Sequence, residues 1–258
     1  MNKKNFKTAI ILCGGRGTRL GSISKFIPKS LVKINGRPII WYIIKNLLKN
    51  SFNHFILPVG YKGNLIKKYI LKQKDFKNLF IEIINTGENT TIAKRIFLVK
   101  NKVISNNFLL MNGDAIFDFD LKKIYNFHKK QNYDQTFIGC ENELAYGTVG
   151  VKNGKILSFD RNITFNSVKV RNKPAFTAYV YSGMSIFHKK ILKINFKNYE
   201  NFEKELYPQI IKKFNCNFKI FTGFWHSIDN IKDILNIKKE NNPIKYKKIR
   251  KLFKKLND

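Results

Sequence analysis

The run Thr8-Ala9-Ile10-Ile11-Leu12, broken at once by Cys13-Gly14-Gly15-Arg16-Gly17-Thr18-Arg19-Leu20, constrains this chain more than any other stretch. An apolar, β-branched run with no polar alternation describes a strand buried on both faces, as in a parallel sheet covered by helices. Glycines at 14, 15 and 17 let the backbone after it approach an anion closely and aim successive N–H groups at it. Loops at the carboxyl ends of such strands are where α/β sheets bind ligands. Arg19 adds a planar donor fork suited to phosphate oxygens. The run lacks the closing Gly-Lys-Ser/Thr of a P-loop and the spacing of the dinucleotide fingerprint. On these residues alone an ordinary glycine-rich turn stays open as the alternative.

The alternation continues. Pro38 suits the first helical position, and Ile39, Ile40, Ile43, Ile44, Leu47 and Leu48 give the helix that follows a broad apolar face. Phe55–Val59 reads as a strand, Asn64–Gln73 as a helix, Leu79–Ile84 as a third strand and Asn107–Met111 as a fourth. This pattern predicts a doubly wound, mostly parallel, Rossmann-like α/β sheet. The second half changes character: Thr136–Gly139, Gly147–Val151, Lys155–Phe159 and Ala178–Phe187 are short runs punctuated by Gly and Asn. They predict a small antiparallel extension over the acceptor side of the sheet. Asn201–Phe214 reads as a helix bent or restarted at Pro208, Phe218–Thr222 as a last strand, and Ile231 onward as a basic amphipathic helix. With no repeat, low-complexity block or linker, one domain over residues 1–258 is expected, ending in a basic tail at 241–258.

No stretch reaches the roughly 18 apolar residues of a membrane span, and the N-terminal apolar run is too short for a signal peptide. Cys13, Cys140 and Cys216 lie far apart in no metal-ligand spacing and read as reduced thiols, which points to the cytoplasm. The charge is the outlier: 49 Lys+Arg against 17 Asp+Glu, a net +32. A nucleic-acid binder is one reading. The other is a compositional bias in which Lys, Asn, Ile and Phe rise together; no recognisable nucleic-acid module supports the first. Either way, a positive field draws in polyanions such as triphosphates.

Few acids remain to do chemistry. Asp114 follows Asn112-Gly113 at the end of an apolar strand, where a carboxylate can hold a divalent metal or merely close a turn. Asp229, in Gly223-Phe224-Trp225-His226-Ser227-Ile228-Asp229, is its candidate partner. Two carboxylates beside a phosphate site suit Mg2+, which takes few protein ligands plus phosphate oxygens and waters. Lys29, after Pro28, lies in the same long loop as the glycines and can approach the same phosphates. The histidines (His54, His128, His188, His226) share no ligand spacing, and core packing is the expected role of Trp225 and Tyr61.

In this order and spacing, the glycine loop with Thr18-Arg19-Leu20, Pro28-Lys29, Asn35-Gly36-Arg37-Pro38-Ile39, Gly113-Asp114 and Gly223-Phe224-Trp225…Asp229 resemble the sugar-phosphate nucleotidyltransferases from about Ala9 to Asp233. Gly60-Tyr61-Lys62-Gly63, the run Asn85–Thr91 leading to Arg95, and the Gly-Phe-Trp-x-x-x-Asp run look like glucose-1-phosphate cytidylyltransferases. Tyr146-Gly147-Thr148-Val149 and Phe202–Pro208 are similar to heptose-1-phosphate guanylyltransferases.

The resemblance implies a sheet of the nucleotide-diphospho-sugar transferase type, with a nucleotide-binding half at 1–120 and an acceptor-binding half at 121–240. It implies that Leu12, Cys13, Gly14, Gly15, Gly17, Thr18, Thr86, Gly87, Asn112 and Gly113 contact the nucleotide, with Arg95 near it. Arg19 and Lys29 would neutralise the triphosphate, and Asp114 with Asp229 would hold Mg2+. The partners implied are a nucleoside triphosphate, CTP first, and a phosphorylated small-molecule acceptor; a homo-oligomer is allowed but not specified. The acceptor side departs from the family. Where the family has Phe-x-Glu-Lys-Pro this chain reads Ser158-Phe159-Asp160-Arg161-Asn162, with neither the Glu nor the Lys in place, and its Asn-Gly-Gly is Tyr181-Ser182-Gly183. Gly147, Arg161, Ser182 and Gly183 are the acceptor-side candidates, with Arg171 or Lys173 as other sources of the missing charge. An inactive nucleotide-binding homologue and a glycosyltransferase using Asp118-Phe119-Asp120 are the competing readings.

Overall fold

The computed structural model describes residues 6–143, 148–160, 164–165, 176–196, 199–238 and 244–257. Its elements in chain order begin with β1 (Thr8–Leu12), the small pair β2 (Lys33–Ile34) and β3 (Arg37–Pro38), α1 (Ile39–Lys49), β4 (His54–Val59), α2 (Gly63–Lys72), β5 (Phe80–Asn85) and α3 (Ile92–Val99). Then come β6 (Asn107–Asn112), β7 (Ala115–Asp118), α4 (Leu121–Lys130), β8 (Gln135–Glu143), β9 (Thr148–Lys152), β10 (Lys155–Asp160), β11 (Thr164–Phe165) and β12 (Tyr179–His188). The chain closes with α5 (Tyr207–Lys213), β13 (Cys216–Ile220), β14 (Phe224–Ser227), α6 (Ile231–Lys238) and α7 (Ile244–Asn257).

The central sheet runs β11-β8-β12-β6-β1-β4-β5, with β13 also on β8. β5, β4, β1 and β6 are parallel, β12 is inserted antiparallel between β6 and β8, and β13 runs parallel to β8. The mostly parallel α/β sheet expected from the sequence is therefore present. Its strands read as unbroken apolar runs because successive side chains enter two different cores. Ala9, Ile11, Phe55, Leu57, Leu109 and Met111 face the core shared with α1, α2 and α7, whereas Ile10, Ile56, Phe108 and Leu110 face the one shared with α3 and α5.

Four expectations change. Thr136–Gly139 and Ala178–Phe187 belong to the central sheet itself rather than to an extension, because β12 pairs in continuous register from Met184↔Met111 to His188↔Asn107. Of the four runs read as an extension, those forming β9 and β10 make an antiparallel ribbon apart from that sheet. The strand expected at Phe218–Thr222 lies at Cys216–Ile220 and is not the last, since β14 follows it. Pro38 precedes α1 as its cap, still paired in the small ladder with Lys33, instead of opening the helix. The basic C-terminal helix is two helices: α6, and α7 packed on α1 with Phe253 stacked on Tyr42 at 3.8 Å between ring centroids. The helix around Pro208 does restart, a π-turn at Phe202–Leu206 passing into α5.

Two of the four histidines are structural. His128 is fully buried, its ring nitrogens 2.8 Å from Thr136 Oγ1 and 3.1 Å from Asn107 Oδ1. Burial, then the neighbouring His188, push its pKa down to about 4 against an opposing pull from Asp134. Burial likewise lowers His54, against Glu82. The unfolded chain thus binds protons near pH 6.5 that the folded chain refuses, so this stability is full above about 6.5 and is lost as pH falls toward 4. For His128 the loss is on the order of 3 kcal/mol. Urea midpoints at pH 7, 5.5 and 4.5 should fall in that order, and the fall should be shallower in His128→Gln; equal slopes would contradict this account.

Candidate active site

β1 and β6 end side by side, Leu12 opposite Asn112, so the two loops that follow leave the sheet at one point. The Gly113 amide donates to Leu12 O at 3.1 Å, and a Cβ on Gly113 would meet that oxygen at 2.5 Å. Only glycine lets the Asp114 turn press this close to the glycine loop. The loop then continues through a 3-10 stretch at Thr18–Lys25, kinked at Gly21, and a single 3-10 turn at Lys29–Leu31. The second, fixed by Leu31 N donating to Pro28 O at 2.9 Å, returns Lys29 to the end of β1.

Asp229 arrives from far along the chain. β14 pairs antiparallel with β7, Ser227 opposite Ala115, and Ile228 N donates to Asp114 O at 3.1 Å. The next residue is Asp229. Its position is locked by a reciprocal cap at the start of α6: Asn230 Oδ1 accepts from Asp233 N at 3.1 Å, and Asp233 Oδ2 accepts from Asn230 N at 3.2 Å and from Asp229 N at 3.0 Å. The other Asp233 oxygen meets His226 Nε2 at 3.3 Å and Tyr246 Oη at 3.2 Å. Burial alone would raise the Asp233 carboxyl; these donors, led by His226, outweigh it and hold the pKa at about 2. Asp233 escaped the sequence reading, although its Asn-x-x-Asp spacing was the signal that could have found it.

These elements enclose a cavity of about 610 Å3. Leu12 to Arg19 line one side, Glu88 to Ile92 with Arg95 another, and Lys29, Ser30, Asn112, Gly113, Asp114 and Asp229 the floor and far wall. At its edge Lys29 Nζ sits 2.6 Å from Asp114 Oδ2 and 2.9 Å from Asp229 Oδ1, while Arg19 Nη1 is 2.9 Å from the same Asp229 oxygen. Burial pushes the Asp229 carboxyl up, but Lys29, with help from Ser227 and Arg19, brings it below the ordinary range. The four residues singled out for metal and triphosphate are thus one cluster.

Other candidates take different places. Arg95 is buried beneath the loop: it donates to Thr86 Oγ1 at 2.5 Å, Gly14 O at 3.1 Å, Glu88 O at 3.1 Å and Val59 O at 3.4 Å. Its fork braces the cavity wall and keeps Gly14 beside Thr86, Gly87 and Glu88. Burial lowers its pKa. The Cys13 thiol is buried and, with Asp114 nearby, pushed up to about 12, so it packs and is no nucleophile. Ser182 is also buried, its hydroxyl donating to Ile138 O at 2.7 Å, and Gly183 sits against the Asn112 side chain at a bulge of β12. Both support the sheet end rather than opening a cleft. Gly147, Arg161, Arg171 and Lys173 lie outside the described residues.

Asp120 caps α4 by accepting from Lys123 N at 2.8 Å, which occupies one half of the Asp-x-Asp alternative. None of the four histidines lines the cavity. Arg16 was not anticipated: it reaches across the mouth to Glu88 at 3.1 Å and Asn89 at 3.3 Å and lies 5.1 Å over the Tyr61 ring. Among the described residues no helix is long and apolar enough to cross a membrane.

The family model described as nucleotidyl transferase matches residues 8–242. The chain is 28% identical over 251 residues to a probable glucose-1-phosphate cytidylyltransferase of Bacillus subtilis, covering 90% of this chain and 94% of that protein. It is 29% identical to the mannose-1-phosphate guanylyltransferase catalytic subunit beta of Xenopus tropicalis, covering 88% of this chain but 62% of that longer protein. Among solved structures, HddC from Yersinia pseudotuberculosis complexed with GMP-PN aligns with a TM-score of 0.64 at 22% identity, covering 89% of this chain and 97% of that one. The resemblance carried by the motifs and the family match over nearly the whole chain coincide: the chain belongs to the nucleotidyl transferase family.

Proposed function

We propose that the chain transfers a nucleotidyl group, CMP from CTP first, to a sugar 1-phosphate or another small phosphorylated acceptor, releasing pyrophosphate. The observation that carries this reading is the Arg19–Lys29–Asp114–Asp229 cluster at the edge of a glycine-lined cavity. The cations suit a triphosphate, and the paired carboxylates suit Mg2+. Both carboxylates reach one atom, at 2.6 and 2.9 Å, so they can share one ion. Among the described residues no group of three or more His, Cys, Asp or Glu forms a cage, which fits an ion that takes one or two carboxylates and completes its shell with phosphate oxygens and water. When bound, Mg2+ would supply neutralisation of charge on the reacting phosphates.

The remaining chemistry belongs to the chain. An acceptor phosphate oxygen attacks the α-phosphorus in line, the new P–O bond forms, and the bond to the β-phosphate oxygen breaks with the electron pair leaving on pyrophosphate. A phosphate monoester is already ionised and nucleophilic near neutral pH, so no general base is required, in keeping with a cavity without histidine. The glycine-loop amides hold the triphosphate, Lys29 and Arg19 balance its charge, and the positive end of α3 at Thr91 and Ile92 adds to the same field. This is positioning and electrostatics, as in phosphoryl transfer generally.

CTP is placed first on the Asn85–Thr91 run leading to Arg95 and on the Bacillus subtilis relative. A guanylyl reading has its own support in the Xenopus tropicalis relative and the GMP-PN complex of HddC. Pyrophosphate release across CTP, GTP, UTP, ATP and dTTP with a panel of sugar 1-phosphates should show CTP fastest. GTP in the lead would move the assignment to guanylyl transfer, and UTP or dTTP in the lead would overturn both.

A further inference from the structure

We propose that Lys29 occupies the metal position of this site until a triphosphate draws it away, so that a divalent cation binds only together with its nucleotide. The inference rests on the reading that Asp114 and Asp229 form the metal pair. It goes beyond that reading in assigning Lys29 a second role, that of a removable counter-ion. The geometry is direct: one ammonium nitrogen lies 2.6 Å from Asp114 Oδ2 and 2.9 Å from Asp229 Oδ1, the place a shared cation would take. Mg2+ sits about 2.1 Å from its oxygen ligands, so it and the ammonium cannot both hold these two oxygens. The ammonium must leave before the ion enters.

The pairing is sheltered. The Lys29 side chain is 16% exposed and that of Asp114 is 22%, which strengthens their attraction beyond that of a surface pair. Arg19 differs: its side chain is 76% exposed and it touches Asp229 alone. In the absence of substrate Lys29 therefore bridges both carboxylates with a single charge, and Arg19 supplies the second positive charge from the solvent side of Asp229 without reaching Asp114. A triphosphate laid over Gly14, Gly15 and Gly17 offers Lys29 a richer anionic partner from the same loop, since the Lys29 Cβ packs close against Gly17. Its departure frees the two carboxylates for the ion that arrives with the phosphates. The coupling is reciprocal: triphosphate favours metal at Asp114 and Asp229, and metal there favours Lys29 on the triphosphate.

The test is Mn2+ binding to the full chain without nucleotide, followed by electron paramagnetic resonance of the free ion. Wild type should bind weakly. Lys29→Met, which keeps the stem and removes the charge, should bind at least about 10-fold more tightly, the size of ordinary coupling between sites. Arg19→Met removes one positive charge beside the same Asp229 and should stay within about 3-fold of wild type, well below that coupling range. Adding Asp114→Asn to Lys29→Met should return binding to the wild-type level. Lys29→Gln, run in parallel, serves if the methionine variant does not fold. Wild type binding Mn2+ as tightly as Lys29→Met, or Arg19→Met matching Lys29→Met, overturns the proposal. Pyrophosphate release by wild type is scored separately: its absence with every substrate pair defeats the functional reading, whereas the Mn2+ series judges Lys29 alone.

Discussion

Asp114→Asn is expected to lower the rate of pyrophosphate release by about 10^3-fold, or roughly 4 kcal/mol of transition-state stabilisation. The substitution keeps the shape of the side chain and the Gly113 turn, so the cavity walls stay in place. What it removes is one of the two negative groups that lie 2.6 and 2.9 Å from a single point at the cavity edge. An amide is a poor ligand for Mg2+, and a neutral side chain at this position would also leave Lys29 with Asp229 as its sole anionic partner in the cluster. Because the lost ion pair is sheltered, fold stability can fall by more than the roughly 1 kcal/mol of a surface pair, so stability is measured alongside activity. A coupled pyrophosphate assay beside a thermal melt separates the two effects. Full activity in a folded Asp114→Asn protein would remove the metal assignment and the central role of the cluster with it.

The first half of the fold was legible because each of β1, β4 and β6 carries apolar residues toward both cores, and each stops at a residue that cannot continue it. The insertion of β12 beside β6 was not. Its stretch through Ser182 and Ser185 buries hydroxyls that local hydropathy assigns to the surface, and the burial is fixed by partners such as Ile138 O that lie distant in sequence. The site divided in the same way. Gly14, Arg19 and Asp114 stood out by residue type after strand ends, whereas Lys29, one lysine among many, gained meaning only from its place in the same loop. Asp229 stood as the partner of Asp114 without a visible reason for their meeting. That Asp229 meets Asp114 depends on β7 pairing with β14, a four-residue ladder too short to leave a periodic signal. Asp233 was hidden for a different reason, since a capping residue looks ordinary until the loop that it holds is seen to carry a site residue. Arg95 was marked by its place after the Asn85–Thr91 run alone, which does not tell what its guanidinium holds. The resemblance placed it near the nucleotide, and in the structure four oxygen acceptors of the chain hold its guanidinium.

That arrangement makes Gly14 and Arg95 a coupled pair with a large expected effect. A Cβ built on Gly14 lies 2.3 Å from both Arg95 Cζ and Nη1 and 2.6 Å from Nε, closer than any real contact, and its three nearest neighbours are all Arg95 atoms. An exposed arginine would swing aside at little cost. This one is held by Thr86 Oγ1 and the carbonyls of Gly14, Glu88 and Val59, in a buried position where unmatched acceptors are costly. Gly14→Ala should therefore destabilise the fold by about 2–3 kcal/mol, and Arg95→Ala, which empties a buried site and takes the donor from Thr86 Oγ1 and Glu88 O while Val59 O and Gly14 O keep the Thr86 and Tyr61 amides, by about 2–4 kcal/mol. The double variant decides between a steric and a backbone cause. Gly14 has no positive φ to be strained by alanine, and removing the guanidinium takes away all three of the clashing atoms. Gly14→Ala should then cost less than about 1 kcal/mol in the Arg95→Ala background, a coupling of at least about 1 kcal/mol in a cycle of urea denaturation curves. Additive losses would mean that Gly14 is required for some other reason, and the brace assigned to Arg95 would have to be withdrawn.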